Sequence, residues 1–212
     1  MRRTLLLSAA ALLFACGQVQ GEDDKARYVV PAELEARVKS GELTDAVFAG
    51  GCFWCMEGPF EKKDGVVAAI SGYSGGSTVD PLYYDVGTGK TGHTEAVRVI
   101  YDPKKVTFDQ LVAVFWKNID PLQANGQFCD LGPEYRSALF FGNDAEKATA
   151  ERTRDALAEK FGKTIATELL PRSPFYAAEV YHQDFYLTNS EHYQRYRRGC
   201  GRDDRLRELW GK

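Results

Sequence analysis

Gly50-Gly51-Cys52-Phe53-Trp54-Cys55-Met56-Glu57 follows the short apolar run Ala46-Val47-Phe48-Ala49. Together they read as a buried strand, a tight glycine turn and the start of a helix. This reading places Cys52 in the first turn of that helix. Unpaired backbone N–H groups and the positive end of the helix dipole favour a thiolate there, and the thiolate is the nucleophilic form. Phe53 and Trp54 then supply an apolar wall of the kind that receives a methyl group. A buried structural cysteine flanked by core aromatics is the other reading of the same residues.

Working outward, Val30-Pro31 opens a short helix over 32–38 that stops at Ser40-Gly41. Residues 66–70 read as a buried strand ending in the loop Gly72-Tyr73-Ser74-Gly75-Gly76, and residues 81–92 as irregular structure. Ala96-Val97-Arg98-Val99-Ile100-Tyr101 alternates into a strand closed by Asp102-Pro103, which sets His93 and Glu95 where that strand begins. Thr107 caps a helix running to Asn118, and a loop over 122–134 leads to a strand over 135–141. Asp144 caps a long helix to about Phe161, a strand covers 165–170, and a turn running into a helix covers 175–186. From Asn189 onward the tail reads as irregular, polar and aromatic, and it holds Cys200. The order of elements predicts an α+β chain, a two-layer α/β sandwich built on a ferredoxin-like split βαβ unit with additions and an irregular C-terminal tail.

The 212 residues fit one domain behind a leader. Arg2 and Arg3 precede an apolar run from Leu5 to Ala15 that is too short to span a bilayer, the pattern of an export signal. Leu13-Phe14-Ala15-Cys16-Gly17 resembles a bacterial lipoprotein processing site. Phe14 is bulkier than the usual occupant, so plain cleavage and an uncleaved anchor stand beside lipidation of Cys16. The expected division is a signal over 1–16, a tether over 17–27 and a catalytic domain over 28–212, exported to the periplasm or cell envelope. Without the signal, the 27 basic residues lose Arg2 and Arg3, leaving 25 against 30 acidic. An acidic domain with no basic stripe argues against nucleic acid, and Arg195-Tyr196-Arg197-Arg198 reads as a solvated helix face.

Several residues suit a cysteine nucleophile. Glu95 beside Ala96-Val97 is expected to be partly buried, which raises a carboxyl's pKa and makes it a proton donor near neutral pH. Tyr83, Tyr84 and Tyr135 can donate O–H groups to a developing oxyanion, while Asp130 is a buried acceptor or a turn residue. Cys52 and Cys55 form a C-x-x-C pair, open to a redox dithiol or an inert Cys55. No second pair supports zinc, since His182 and His192 are ten apart. Cys200, between Gly199 and Gly201, suits a resolving thiol that travels. These residues alone leave open an exported thiol-disulfide oxidoreductase using Cys52 and Cys55, and a non-enzymatic lipid-anchored binding protein.

Taken together, Gly51-Cys52-Phe53-Trp54, the loop from Gly72 to Gly76, Gly92-His93-Thr94-Glu95-Ala96-Val97, Phe115-Trp116 with Asp120-Pro121, Gln127 to Asp130, Tyr135-Arg136-Ser137 and Tyr181-His182-Gln183 resemble peptide methionine sulfoxide reductases of the A type, in family order over roughly residues 46–210. The resemblance implies reduction of the S epimer of methionine sulfoxide in proteins or peptides. It assigns Cys52 as the nucleophile that becomes a sulfenic acid and Glu95 as the acid. It also assigns Tyr83 and Tyr135 as donors to the sulfoxide oxygen, Asp130 as an ordering acid, and Phe53 and Trp54 as the methyl wall. It further implies a disulfide from Cys52 to a resolving cysteine, expected to be Cys200. The reductant would be an external dithiol such as a thioredoxin-like protein, with no metal or organic cofactor. Cys55 and Cys129 depart from the plainest family pattern, so either could pair with Cys52 or relay to Cys200.

Overall fold

The computed structural model describes residues 26–211. The signal expected over 1–16, Cys16 and most of the expected tether lie outside the described residues. Of the tether's end, Arg27 bridges to Glu179 and donates to the carbonyl of Ala177 at 3.0 Å.

In chain order the elements are α1 (Ala32–Lys39), β1 (Thr44–Gly50), α2 (Trp54–Glu61), β2 (Val66–Ser74), α3 (Tyr83–Val86), β3 (Thr94–Tyr101), α4 (Phe108–Trp116), β4 (Gly126–Gln127), β5 (Asp130–Leu131), β6 (Ser137–Phe141), α5 (Asp144–Phe161), β7 (Glu168–Pro171), β8 (Tyr176–Ala177), α6 (Phe185–Thr188), α7 (Ser190–Gly199) and α8 (Arg202–Trp210). The main sheet runs β7-β6-β1-β3-β2-β8. Its middle, β6-β1-β3-β2, is antiparallel throughout. With α2 between β1 and β2, and α4 between β3 and β6, this is the expected split βαβ frame. The additions are β7, parallel to β6 across the α5 crossover, and β8 on the β2 edge.

Period-2 alternation along β1 feeds two cores. Ala46 and Phe48 join Met56 and Phe60 of α2 and Leu111 and Phe115 of α4 in the larger cluster. Val47 and Ala49 point the other way, to Ala96, Ala138 and Phe140. Phe48 lies 4.9 Å from Phe60 and 5.3 Å from Phe115, ring centre to ring centre. Removing such a ring from a filled core costs about 3–5 kcal/mol.

Several local readings change. β2 runs on through Gly72 to Ser74. Gly72 is a glycine because β8 crosses it closely: a Cβ there would lie 2.3 Å from the Phe175 ring and from the Tyr176 carbonyl. Close approach, rather than a turn, is what that glycine serves. Asn143, not Asp144, caps α5, its side chain accepting from the Glu146 N–H at 2.9 Å. Thr107 does cap α4, in a reciprocal box with Gln110.

The largest correction is the tail, which is helical rather than irregular. Its arginines and acids are partly internal partners: Arg197 of α7 donates to Asp203 of α8 at 2.9 Å. Arg202 is 1% exposed. It donates to the carbonyls of Gly50 at 3.1 Å and Asn118 at 2.7 Å, and its guanidinium covers the Phe128 ring at 4.4 Å. The tail is thereby fixed where β1 ends. Among the described residues no helix is long and apolar enough to cross a membrane.

Candidate active site

The antiparallel register pairs Phe48 with Val97, which, continued by two residues, sets Glu95 level with Gly50. Gly50 also pairs with Ser137, so the chain just before β6 reaches the same end of the sheet. The site forms there. Gly51 turns the chain with φ +76°, and a Cβ on it would lie 2.5 Å from the Gln127 side chain. Only glycine meets both demands. Gln127 is fully buried and brackets Asp120, accepting from its N–H and donating to its carbonyl, each at 2.8 Å, which holds the β4–β5 hairpin against the turn.

Cys52, Phe53, Trp54, Tyr83, Glu95, Asp130, Tyr135 and Tyr196 line one cavity of about 80 Å³. A water molecule's share of liquid is about 30 Å³, so only a group of a few heavy atoms fits. Of the residues singled out in the sequence, Cys52, Phe53, Trp54, Tyr83, Glu95, Asp130 and Tyr135 meet here. Tyr84, adjacent to Tyr83, does not: it is 83% exposed.

The Phe53 N–H donates to Oε2 of Glu95 at 2.9 Å, leaving Oε1 for a proton. Glu95 is deeper than expected. Burial pushes its carboxyl up to about 8, against the Phe53 hydrogen bond and helped by Asp130, Cys55 and Glu134. Burial also raises the hydroxyl of Tyr83, to about 12, and those of Tyr135 and Tyr196. All three stay protonated, and the Tyr83 and Tyr135 hydroxyls influence each other across the pocket. Asp130 is half-buried, its carboxyl raised by burial, and its Oδ2 accepts from the Tyr196 hydroxyl.

Cys52 departs from expectation. It stands before Phe53, the residue that caps α2, and so outside the helix. Burial, then Cys55 and Glu95, push its thiol well up, overriding the dipole. Cys55 is shifted the other way by its hydrogen bond with Cys52 and by Arg202 and Arg197.

Cys200 is not in the pocket. It is bonded to Cys129, 71 residues away, and Cys52 and Cys55 are free. The bond present is therefore not the expected Cys52–Cys200 pair.

Sequence reasoning missed several contributors. Tyr196, read as part of a solvated face, enters the pocket because Tyr193 and Tyr196 lie three apart on α7, a spacing that would have flagged an inward aromatic side. His182 accepts from the Trp54 indole at Nδ1, 3.1 Å away, and Phe185 stacks on the same indole at 3.7 Å. Burial lowers His182 to about 4, which keeps it neutral and able to accept. Glu179 accepts from the Tyr83 N–H and from the Tyr73 hydroxyl, each at 2.8 Å. His93, near the site in sequence, instead pins the glycine loop through Gly76 and Thr78.

The pocket thus offers hydroxyl and carboxyl donors, an apolar wall and a thiol among them. Such a set receives a small polarised X=O group bearing a short alkyl chain.

A family model described as peptide methionine sulfoxide reductase matches residues 44–212. The peptide methionine sulfoxide reductase MsrA of Halalkalibacterium halodurans is 46% identical over 172 residues, 80% of this chain and 98% of that protein. The MsrA of Bacillus subtilis is 48% identical over 168 residues, 78% and 95% of the two chains. Among solved structures, Mxr1 from Saccharomyces cerevisiae in reduced form superposes with a TM-score of 0.67 at 33% identity, covering 71% of this chain and 88% of that one. Methionine sulfoxide reductase A of Corynebacterium diphtheriae gives 0.66 at 31%, covering 80% and 91%.

Proposed function

The chain belongs to the peptide methionine sulfoxide reductase family, and from that premise we propose how its pocket carries the reaction. The protein is an oxidoreductase that returns methionine sulfoxide to methionine by thiol chemistry. The observation that carries the assignment of roles is the convergence of Cys52, Glu95 and three tyrosine hydroxyls on one small cavity.

The methyl group rests on Phe53 and Trp54, and the sulfoxide oxygen takes hydrogen bonds from Tyr83, Tyr135 and the Glu95 carboxyl. Cys52, as thiolate, attacks the sulfur while Glu95 gives its proton to the oxygen. Transfer of the oxygen leaves methionine and a sulfenic acid on Cys52. The family implies that the S epimer is the substrate, and hydroxyls on one side with aromatics on the other suit a pocket that accepts a single hand of the sulfoxide.

Cys200 then condenses with the sulfenic acid, forming Cys52–S–S–Cys200 and releasing water. Cys129 displaces Cys52 from Cys200, and the Cys129–Cys200 disulfide with a free Cys52 is the distribution seen. Exposed Cys129 offers that disulfide to an external dithiol such as a thioredoxin-like protein. Cys55 is a second resolving candidate, favoured by its hydrogen bond with Cys52. The leader places the enzyme outside the cytoplasm, in the periplasm or cell envelope, acting on oxidised envelope proteins and attached through Cys16 where it is lipidated. Cell fractionation with a Cys16→Ser variant checks that location.

The roles are tested by reacting pre-reduced enzyme with one equivalent of a methionine sulfoxide peptide and a sulfenic acid trap. Cys200→Ser should yield methionine and a trapped adduct on Cys52. A Cys52–Cys55 disulfide in place of the adduct, with methionine formed, would show that Cys55 resolves instead.

A further inference from the structure

Asp130 faces two ways. Its Oδ2 accepts from the Tyr196 hydroxyl at the pocket, while Oδ1 lies 3.7 Å from Cys129 Sγ at the surface. The sulfurs of Cys129 and Cys200 and a carboxylate oxygen of Asp130 all lie within 4.8 Å of one another. Bonded to each other, the sulfurs carry no charge for a cation. Reduction by an external dithiol adds two electrons and two protons, opens the S–S bond and oxidises the dithiol to its own disulfide.

We propose that this reduced form is a binding site for a soft divalent cation such as Zn²⁺, with Cys129, Cys200 and Asp130 as three ligands and water as the fourth. Two thiolates and a carboxylate are a suitable donor set for zinc, and binding releases the two thiol protons to solvent. The ligands bring three negative charges to a doubly charged ion, and Arg202 acts electrostatically on one of them, Asp130. Exposed Cys129 gives the ion a way in. The sulfurs must move apart to the corners of a tetrahedron. Cys200 lies at the junction of α7 and α8, between Gly199 and Gly201, where a side-chain rotation separates its sulfur from that of Cys129.

Occupancy has a consequence at the other end of Asp130. A metal on Oδ1 reorients the carboxylate that Tyr196 holds in the pocket, and it prevents the two cysteines from forming their disulfide. Zinc is thus an inhibitor of the reduced enzyme. The site requires only a reducible Cys129–Cys200 bond and does not rest on the assigned reductase mechanism.

The test uses the full chain, reduced with a phosphine, freed of it by anaerobic gel filtration and checked by alkylation at Cys129 and Cys200. Zn²⁺ is titrated against a chromophoric chelator, and Co²⁺ binding is followed by its sulfur-to-metal charge-transfer absorption. The expected result is one ion per reduced chain that is absent from the oxidised chain, lost in Cys129→Ser and Cys200→Ser, and retained in Cys52→Ser. Asp130→Asn should weaken binding by about tenfold or more. Alkylatable Cys129 and Cys200 without zinc uptake would overturn the proposal. So would uptake unchanged by Cys129→Ser and Cys200→Ser, or uptake lost in Cys52→Ser.

Discussion

The backbone N–H of Phe53 is hydrogen-bonded to Oε2 of Glu95 at 2.9 Å, so the acid is fastened to the residue that follows the nucleophile. One peptide group sets the distance between the proton donor and the attacking sulfur.

That relationship gives a pH prediction with a definite sign. Glu95 is protonated below about 8, and the Cys52 thiol is raised well above its ordinary value. Below pH 8 the single-turnover rate should rise about tenfold per unit as thiolate forms, and above it should level as the Glu95 proton is lost at the same rate. Glu95→Gln should lower the rate by about 10²–10⁴ and continue rising past pH 8. A levelling near pH 8 that survives in Glu95→Gln would assign that titration to another group.

The cysteines separate by which half of the cycle they serve. Cys129→Ser should form one methionine per reduced enzyme at the wild-type rate and then turn over slowly with a thioredoxin-like reductant, its product a Cys52–Cys200 disulfide. Peptide mapping under non-reducing conditions reads this directly. Fast steady-state turnover in Cys129→Ser would remove Cys129 from the route.

The frame was legible because its signals are local. Four apolar residues before a glycine pair gave β1, and the βαββαβ order followed from spacing. The pocket residues came from motifs, which also conveyed their partners. What sequence left hidden depends on residues far apart in the chain. Gly72 answers to Phe175 and Tyr176, Arg202 finds carbonyl partners at Gly50 and Asn118, and Cys200 meets Cys129. The tail reads as polar because its arginines are counted as solvated, whereas Arg202 is buried. The Cys52 thiol is pushed up rather than down because its burial, which the local sequence does not display, outweighs the neighbouring helix dipole.

Glu57, on the α2 face away from Cys52's cavity, is fully buried with neither carboxylate oxygen partnered. Burial pushes its carboxyl from 4.5 up to about 8, with Glu61 and Asp184 adding to the rise. The folded chain therefore holds this proton where the unfolded chain has released it, and stability falls as pH climbs from about 4.5 toward 8. Glu57→Gln should stabilise the protein at pH 8 by on the order of a few kcal/mol and flatten that fall. Chemical denaturation at pH 5 and pH 8 checks it, and an equal effect at both values contradicts it.

Tyr196→Phe removes the hydroxyl that Asp130 Oδ2 accepts from. Leaving a half-buried carboxylate without its donor costs about 1–3 kcal/mol of stability, and because Tyr196 and Asp130 both line the pocket, kcat/KM should fall as well. Steady-state kinetics on a methionine sulfoxide peptide measures this, and an unchanged kcat/KM would place Tyr196 outside the working pocket.

The most direct test of the central claim is the burst of methionine from separate S and R sulfoxide peptides mixed with pre-reduced enzyme in a quenched-flow experiment, with Cys52→Ser alongside. The account predicts two methionines per enzyme from the S peptide, because the relay to Cys129–Cys200 returns Cys52 to the thiol, none from the R peptide, and none from either with Cys52→Ser. A burst from the R peptide, or one that persists without the Cys52 sulfur, would contradict it.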